Sequence, residues 1–146
     1  MTSPRGGLHH LELWVEDLDA ALPPWRWLLE RLGWVPMRTW PGGASWRLGD
    51  VYLVLEAGPD VVRGRHERTR PGLNHVAFHA GSPAQLDALV ADADAHGWRL
   101  MFADRHPYAG GPEHYAAYLE DAAGFEVELV AAPPPDAGVR GSSGSA

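Results

Sequence analysis

The segment Leu8-His9-His10-Leu11-Glu12-Leu13-Trp14 is written a second time 65 residues later, as Leu73-Asn74-His75-Val76-Ala77-Phe78-His79. A second landmark repeats at nearly the same offset: Leu32-Gly33-Trp34 returns 64 residues on as His96-Gly97-Trp98. Self-similarity at a fixed spacing means one supersecondary unit used twice. Each half of about 60 residues is too small to be comfortable alone, so the two copies are expected to share a core. The repeat also sets His10 and His75 at equivalent places in the two copies.

The local patterns say what the unit is. From Leu8 to Val15 the residues alternate, with Leu11, Leu13 and Val15 on one face and His10, Glu12 and Trp14 on the other, the period of a half-buried strand. Asp17 or Asp19 caps a helix running to about Leu32, with Leu22, Trp25, Leu28, Leu29 and Leu32 at helical spacing and Pro23 and Pro24 near its start. Gly33 ends it. Trp34 to Trp40 reads as a strand, Pro41-Gly42-Gly43 as a turn, and Ser45–Leu48 with Val51–Glu56 as a hairpin. After a Gly, Pro and Arg-rich stretch the order repeats: a strand at Leu73–Ala80, a helix opened by Ser82-Pro83, a strand at Arg99–Ala103, a Gly/Pro loop, and strands at His114–Leu119 and Phe125–Val130. The expectation is a single α+β domain over residues 8–131, with module one at 8–56, a linker at 57–72 and module two at 73–131. Residues 1–7 and 134–146 are expected to be disordered. The linker arginines Arg63, Arg65, Arg68 and Arg70 read as a solvated loop rather than an anion site.

Composition removes several function classes. There are no cysteines, which excludes disulfides, thiolate metal sites and cysteine nucleophiles. All 12 basic residues are arginine, so Schiff-base chemistry and a P-loop lysine are out. A net charge of −7 argues against a nucleic-acid partner. No signal pattern and no apolar run of spanning length is seen, so the expectation is a cytoplasmic protein with no membrane partner.

Two curled sheets can place their polar faces on a common cleft. The alternation assigns to those faces His10, Glu12 and Trp14; Tyr52, Val54 and Glu56; His75, Ala77 and His79; His114, Ala116 and Tyr118; and Glu126, Glu128 and Val130. Two histidines at equivalent repeat positions, with a carboxylate from a third strand, form a facial site for a divalent metal, and Zn, Ni, Fe or Mn would all be accommodated. Trp14, Tyr52 and Tyr118 suit a small aromatic or planar substrate.

The carriers Leu8-His9-His10-Leu11, Glu16-Asp17-Leu18, Leu73-Asn74-His75-Val76-Ala77-Phe78 and Tyr118-Leu119-Glu120-Asp121-Ala122-Ala123-Gly124-Phe125-Glu126-Val127-Glu128-Leu129 resemble the vicinal oxygen chelate superfamily, which includes glyoxalase I, fosfomycin- and bleomycin-resistance proteins and extradiol dioxygenases. The resemblance spans residues 8–131, with Ala122 where the family usually has proline. It implies two βαβββ modules forming a curved mixed-sheet cleft, often in a homodimer whose clefts use strands of both chains. It also implies His10, His75 and Glu128 as metal ligands. Glyoxalase-like members carry a fourth ligand where this chain has Val54, with Glu56 two residues along on the same face.

Three functions follow from the resemblance. A lyase or isomerase would use Glu56 or Glu12 to abstract a proton, and this reading is favoured. A ring-cleaving dioxygenase would use His79 or His114 with Tyr118. A drug-sequestering protein would need only the aromatic cleft. Glu12 and the absence of lysine disfavour an anionic phosphonate substrate.

Overall fold

The structure is a computed structural model and describes residues 2–133. Module one runs β1 (His10–Trp14), α1 (Leu18–Arg31), β2 (Val35–Trp40), β3 (Gly43–Leu48) and β4 (Val51–Glu56). Module two runs β5 (His75–His79), α2 (Pro83–Ala93), a 3₁₀ turn at Asp94–His96, β6 (Arg99–Met101), β7 (Ala116–Glu120) and β8 (Glu126–Val130). Each module is a four-stranded mixed sheet, in the orders β1-β4-β3-β2 and β5-β8-β7-β6. The first strand of each lies parallel to the last and the other pairs are antiparallel. This is the α+β architecture of two βαβββ units that the repeat implies. No described helix is long and apolar enough to cross a membrane.

The helices start where the sequence places their caps. Asp17 has extended backbone geometry, and its carboxylate accepts from the Ala20 N–H at 3.1 Å. Ser82 and Gln85 form a reciprocal capping box around Pro83. Pro23 and Pro24 lie further inside α1 than a first-turn reading allows. The helix continues through them because Trp25, Leu28 and Leu29 just beyond are fully buried and hold it in place.

The apolar faces share one core. Leu13, Leu53 and Leu55 from the first sheet and Phe78, Ala117, Leu119, Val127 and Leu129 from the second belong to a single buried cluster. Trp25 sits at its centre. Its ring meets Trp98 and Phe125 edge-on at 5.1 and 6.3 Å, and its indole N–H donates to buried Asp121 at 3.0 Å. Trp98 returns a hydrogen bond to the Pro24 carbonyl at 2.9 Å. Burying one such indole contributes about 4–6 kcal/mol by area, so this tryptophan pair is a large part of the seam between the modules.

The connector between modules is held as a strap over the β7–β8 turn. Arg65 bonds the Ala122 carbonyl at 2.7 Å and Glu120 at 2.6 Å, and the His66 ring stacks on Phe125 with centroids 4.3 Å apart. The turn carries Gly124 because its φ is +89° and a Cβ there would stand 2.4 Å from the His66 carbonyl oxygen. Of the four arginines read from the sequence as solvated, Arg63 and Arg70 are exposed, while Arg65 and Arg68 reach carboxylates of the hairpin beneath because the strap brings them there. At the N-terminus, Ser3 donates to Asp50 at 2.7 Å and a turn closes from Pro4 to Gly7. Residues 134–146 lie outside the described chain.

Candidate metal and substrate site

The polar face of module two converges on one carboxylate. β8 is central in its sheet, and its alternation sends Glu126 and Glu128 to the face away from the core. In register, Ala77 and Tyr118 flank Glu128, and His75 pairs with Glu126. Glu128 is only 7% exposed. One of its oxygens, Oε2, lies 3.1 Å from His75 Nε2, and the other, Oε1, is hydrogen-bonded to His114 Nε2. Burial pushes the Glu128 carboxyl up, but the His114 and then the Tyr118 side chain beside it, with His75, hold it below the usual carboxylate range. Tyr118 moves the other way: burial, then the Glu128 carboxylate it donates to, raises its phenol above the ordinary value.

Two chain segments frame this cluster. On one side the loop after β6 returns over the face, ending at His114. Its Gly110 lies so close that a Cβ would sit 2.5 Å from the Tyr118 hydroxyl and 2.7 Å from the His114 ring. Phe102 packs edge-on to Tyr118 at 5.6 Å. On the other side stands the strap. Asn74 accepts from His75 Nδ1 at 2.7 Å and donates to the Arg68 carbonyl at 3.0 Å. The Arg68 guanidinium approaches Glu126, which is 4% exposed, to 2.9 Å. That oxygen of Glu126 has no aligned hydrogen-bond partner, so the contact is a close approach of opposite charges. Asn74, Arg68 and Gly110 are missed by reasoning from residue types. The only sequence signal was the adjacency of Asn74 to His75.

Module one carries a different face. His10 is exposed at the start of β1, stacked on Tyr52 with ring centroids 4.7 Å apart, and its Nδ1 lies 2.9 Å from His9 Nδ1. Glu12 accepts from the Trp14 indole at 3.1 Å. The Glu12 and Glu56 carboxyls perturb each other: the Glu56 side chain, then the Trp14 bond, lowers the Glu12 pKa, and the Glu12 side chain raises that of Glu56. The register decides how the modules correspond. His10 pairs with Tyr52 as His75 pairs with Glu126, and Glu12 pairs with Val54 as Ala77 pairs with Glu128. Val54 is therefore the counterpart of Glu128, and Glu56 stands one pair beyond, at the place of Val130.

His79 points to neither cluster. It lines a cavity of about 520 Å³ between the β1/β4 and β5 edges, walled by Leu11, Trp34, Tyr52, Val76 and Phe78. Among the described residues, no group of three or more His, Asp or Glu side chains within one chain is arranged to hold a metal ion. The fit to a divalent cation is nevertheless good on donor chemistry. Glu128 is a buried, ionised carboxylate whose two oxygens face imidazole nitrogens, and His75 and Glu128 supply two donors of the predicted set. His10, the third, lies on the face of the other module.

Comparison with known proteins completes the description. A family profile described as the glyoxalase/bleomycin resistance protein/dioxygenase superfamily matches residues 9–118. The uncharacterized protein YqjT of Bacillus subtilis (strain 168) is 43% identical over 125 residues, covering 85% of this chain and 98% of that one. The crystal structure of a glyoxalase candidate from Bacillus halodurans is 40% identical with a TM-score of 0.83, covering 88% of this chain and 97% of the other. A fosfomycin resistance protein from Listeria monocytogenes, complexed with Mn(II) and a dihydroxypropylphosphonic acid, shares the fold at 18% identity and a TM-score of 0.61, over 85% and 88% of the two chains.

Proposed function

From the premise that this chain belongs to the glyoxalase/bleomycin resistance protein/dioxygenase superfamily, we propose that it is a metal-dependent enzyme acting on a small molecule through two neighbouring oxygens. The observation that carries this is the pairing of His75 Nε2 and His114 Nε2 with the two oxygens of buried Glu128. His75 and Glu128 would hold a divalent cation together with His10 of the partner subunit, in a homodimer whose cleft is shared between copies. Exposure of His10, Glu12 and half of the Trp14 surface supports that arrangement, since a second module set against this face would cover them. A divalent ion bound there supplies Lewis acidity to a chelating substrate.

The chain's own residues supply the rest. Glu12 and Glu56 are two carboxyls on the same open face whose pKa values are pushed in opposite directions, the arrangement suited to taking a proton from carbon and returning it to a neighbouring atom. This favours the lyase or isomerase reading. The ring-cleaving oxygenase reading draws instead on His114, hydrogen-bonded to Glu128, and on Tyr118, opposite Glu128 in register. In either case Trp14 and Tyr52 offer flat walls for a planar substrate.

Metal analysis of the purified protein, followed by subunit mixing, tests the proposal. Wild-type protein is expected to retain a divalent metal, and His10→Ala and Glu128→Ala each to lose it. A mixed population of the two variants should regain sites, because one cleft of each heterodimer is intact. Absence of bound metal, with no effect of His75→Ala on any activity, would leave a drug-sequestering role in place of the enzyme. Glyoxalase-type isomerisation set against oxygen uptake with catechols then separates the two reactions.

A further inference from the structure

We propose that Asn74 is a positioning residue: anchored on the strap, its amide fixes His75 in the tautomer that turns an unprotonated Nε2 toward Glu128. The value of that tautomer to a bound cation rests on the metal reading above; the tautomer itself follows from the hydrogen bonds.

The backbone carbonyl of Arg68 can only accept, so the Asn74 atom 3.0 Å from it is the amide nitrogen. This orients the whole carboxamide and leaves its oxygen 2.7 Å from His75 Nδ1. A carbonyl oxygen also only accepts, so Nδ1 carries the hydrogen. A neutral imidazole has one N–H, and Nε2 is then a bare lone pair facing Glu128 Oε2 at 3.1 Å. In that neutral form two acceptors face each other, an arrangement relieved by a metal ion or by a second proton on the ring. Left to itself, the Glu128 carboxylate would select the opposite tautomer, with Nε2–H donating a charge-assisted hydrogen bond, and that form cannot ligate a metal. Asn74 opposes this selection and keeps the ligating nitrogen free.

Two features strengthen the assignment. The Arg68 residue whose carbonyl anchors Asn74 also places its guanidinium against Glu126, so one strap residue contacts both the residue before the histidine and its register partner. In module one the residue before His10 is His9, and its ring nitrogen likewise meets the Nδ1 of the histidine that follows, at 2.9 Å. The duplicated unit keeps a side chain on the outer nitrogen of both histidines.

The test is long-range proton–nitrogen NMR of the imidazoles in ¹⁵N-labelled, metal-free protein at a pH where His75 is neutral, with zinc titration calorimetry of the same samples. Wild-type His75 is expected to show Nδ1–H. Asn74→Ala should convert it to Nε2–H and weaken zinc binding by roughly 10–100-fold. Asn74→Asp, which still accepts from Nδ1 but no longer donates to Arg68, should restore Nδ1–H and most of the zinc affinity. Asn74 is exposed, so both variants are expected to fold as the parent does. An unchanged Nδ1–H signal in Asn74→Ala, or no restoration in a folded Asn74→Asp, overturns the proposal. A wild type that binds no zinc while its tautomer still follows Asn74 overturns the metal reading and leaves the positioning role standing.

Discussion

The two modules share a frame and differ in what they do with it. In module two the polar face is half closed: the strap and the loop after β6 lean over it, Glu128 is buried, and its oxygens are met by His75, His114 and Tyr118. In module one the corresponding face is open. Val54 stands where Glu128 would be, the His10 ring lies against His9 and Tyr52, and Glu12 and Glu56 shift each other's pKa. Duplication thus preserved the register, the caps and the histidine, while the carboxylate and the covering segments belong to one copy only. The lesson is complementarity: one face has a histidine without its acid, the other a histidine and acid short of a third donor.

The sharpest way to break this comparison is to remove the residue that distinguishes the faces. Glu128→Gln should cost more divalent-metal affinity than the ~10–100-fold typical of changes one layer out from a metal, whereas Val54→Ala at the equivalent position should leave it unchanged. Calorimetric titration reads both, and comparable losses would mean that module one holds a site of its own. Next in size is the seam. Trp25→Ala should destabilise the protein by about 3–5 kcal/mol in urea denaturation, with one transition retained, because the indole is fully buried among residues of both modules. Two separate transitions in the parent protein would show modules more independent than the shared core implies.

A smaller effect with a pH signature comes from Asp121. Burial raises its pKa above 3.8, partly offset by hydrogen bonds from Phe125, Trp25 and Ala123. The folded state therefore holds this proton more tightly than the unfolded state does. Its contribution is full below the unfolded value near 3.8 and is lost as pH rises through the folded value. Asp121→Asn should cost about 1–3 kcal/mol through the disturbed turn and Trp25 bond, and the cost should be larger near the acid end of the stable range than at neutral pH. A cost that grows with pH would reverse the assignment. The smallest effect belongs to the exposed ion pair between Arg31 and Asp92, 2.8 Å apart across the modules. Asp92→Asn should change stability by less than about 1 kcal/mol in urea denaturation, and a larger loss would show that charge helps to join the halves.

Much of this was legible in the chain. The repeat and the period-two alternation located the eight strands, because a slip of one residue would turn Leu13 or Val127 to the polar face. Their ends differ, with β3 starting at Gly43, β6 ending at Met101 and β7 starting at Ala116, so that His114 lies in the loop before it. Caps at Asp17 and Ser82 marked the helices by local chemistry. The same alternation gathered His75, Tyr118 and Glu128 on one side. What escaped is non-local. Residue order near Glu56 did not reveal whether it or Val54 matches Glu128, since that depends on how β4 pairs with β1. Nor did composition show that Arg65 and Arg68 would meet Glu120 and Glu126, because the path of an aperiodic connector is set by the surface it lands on. The separation of His10 from Glu128 within one chain is of the same kind, a matter of how two finished modules are set against each other.

Trp25 and Asp121 are 96 residues apart in sequence. During synthesis the first module is complete long before its central indole has anything to rest against, since Trp98, Asp121 and Phe125 have yet to leave the ribosome. The early half of this protein must wait, with its most apolar side chain uncovered, for the late half to arrive.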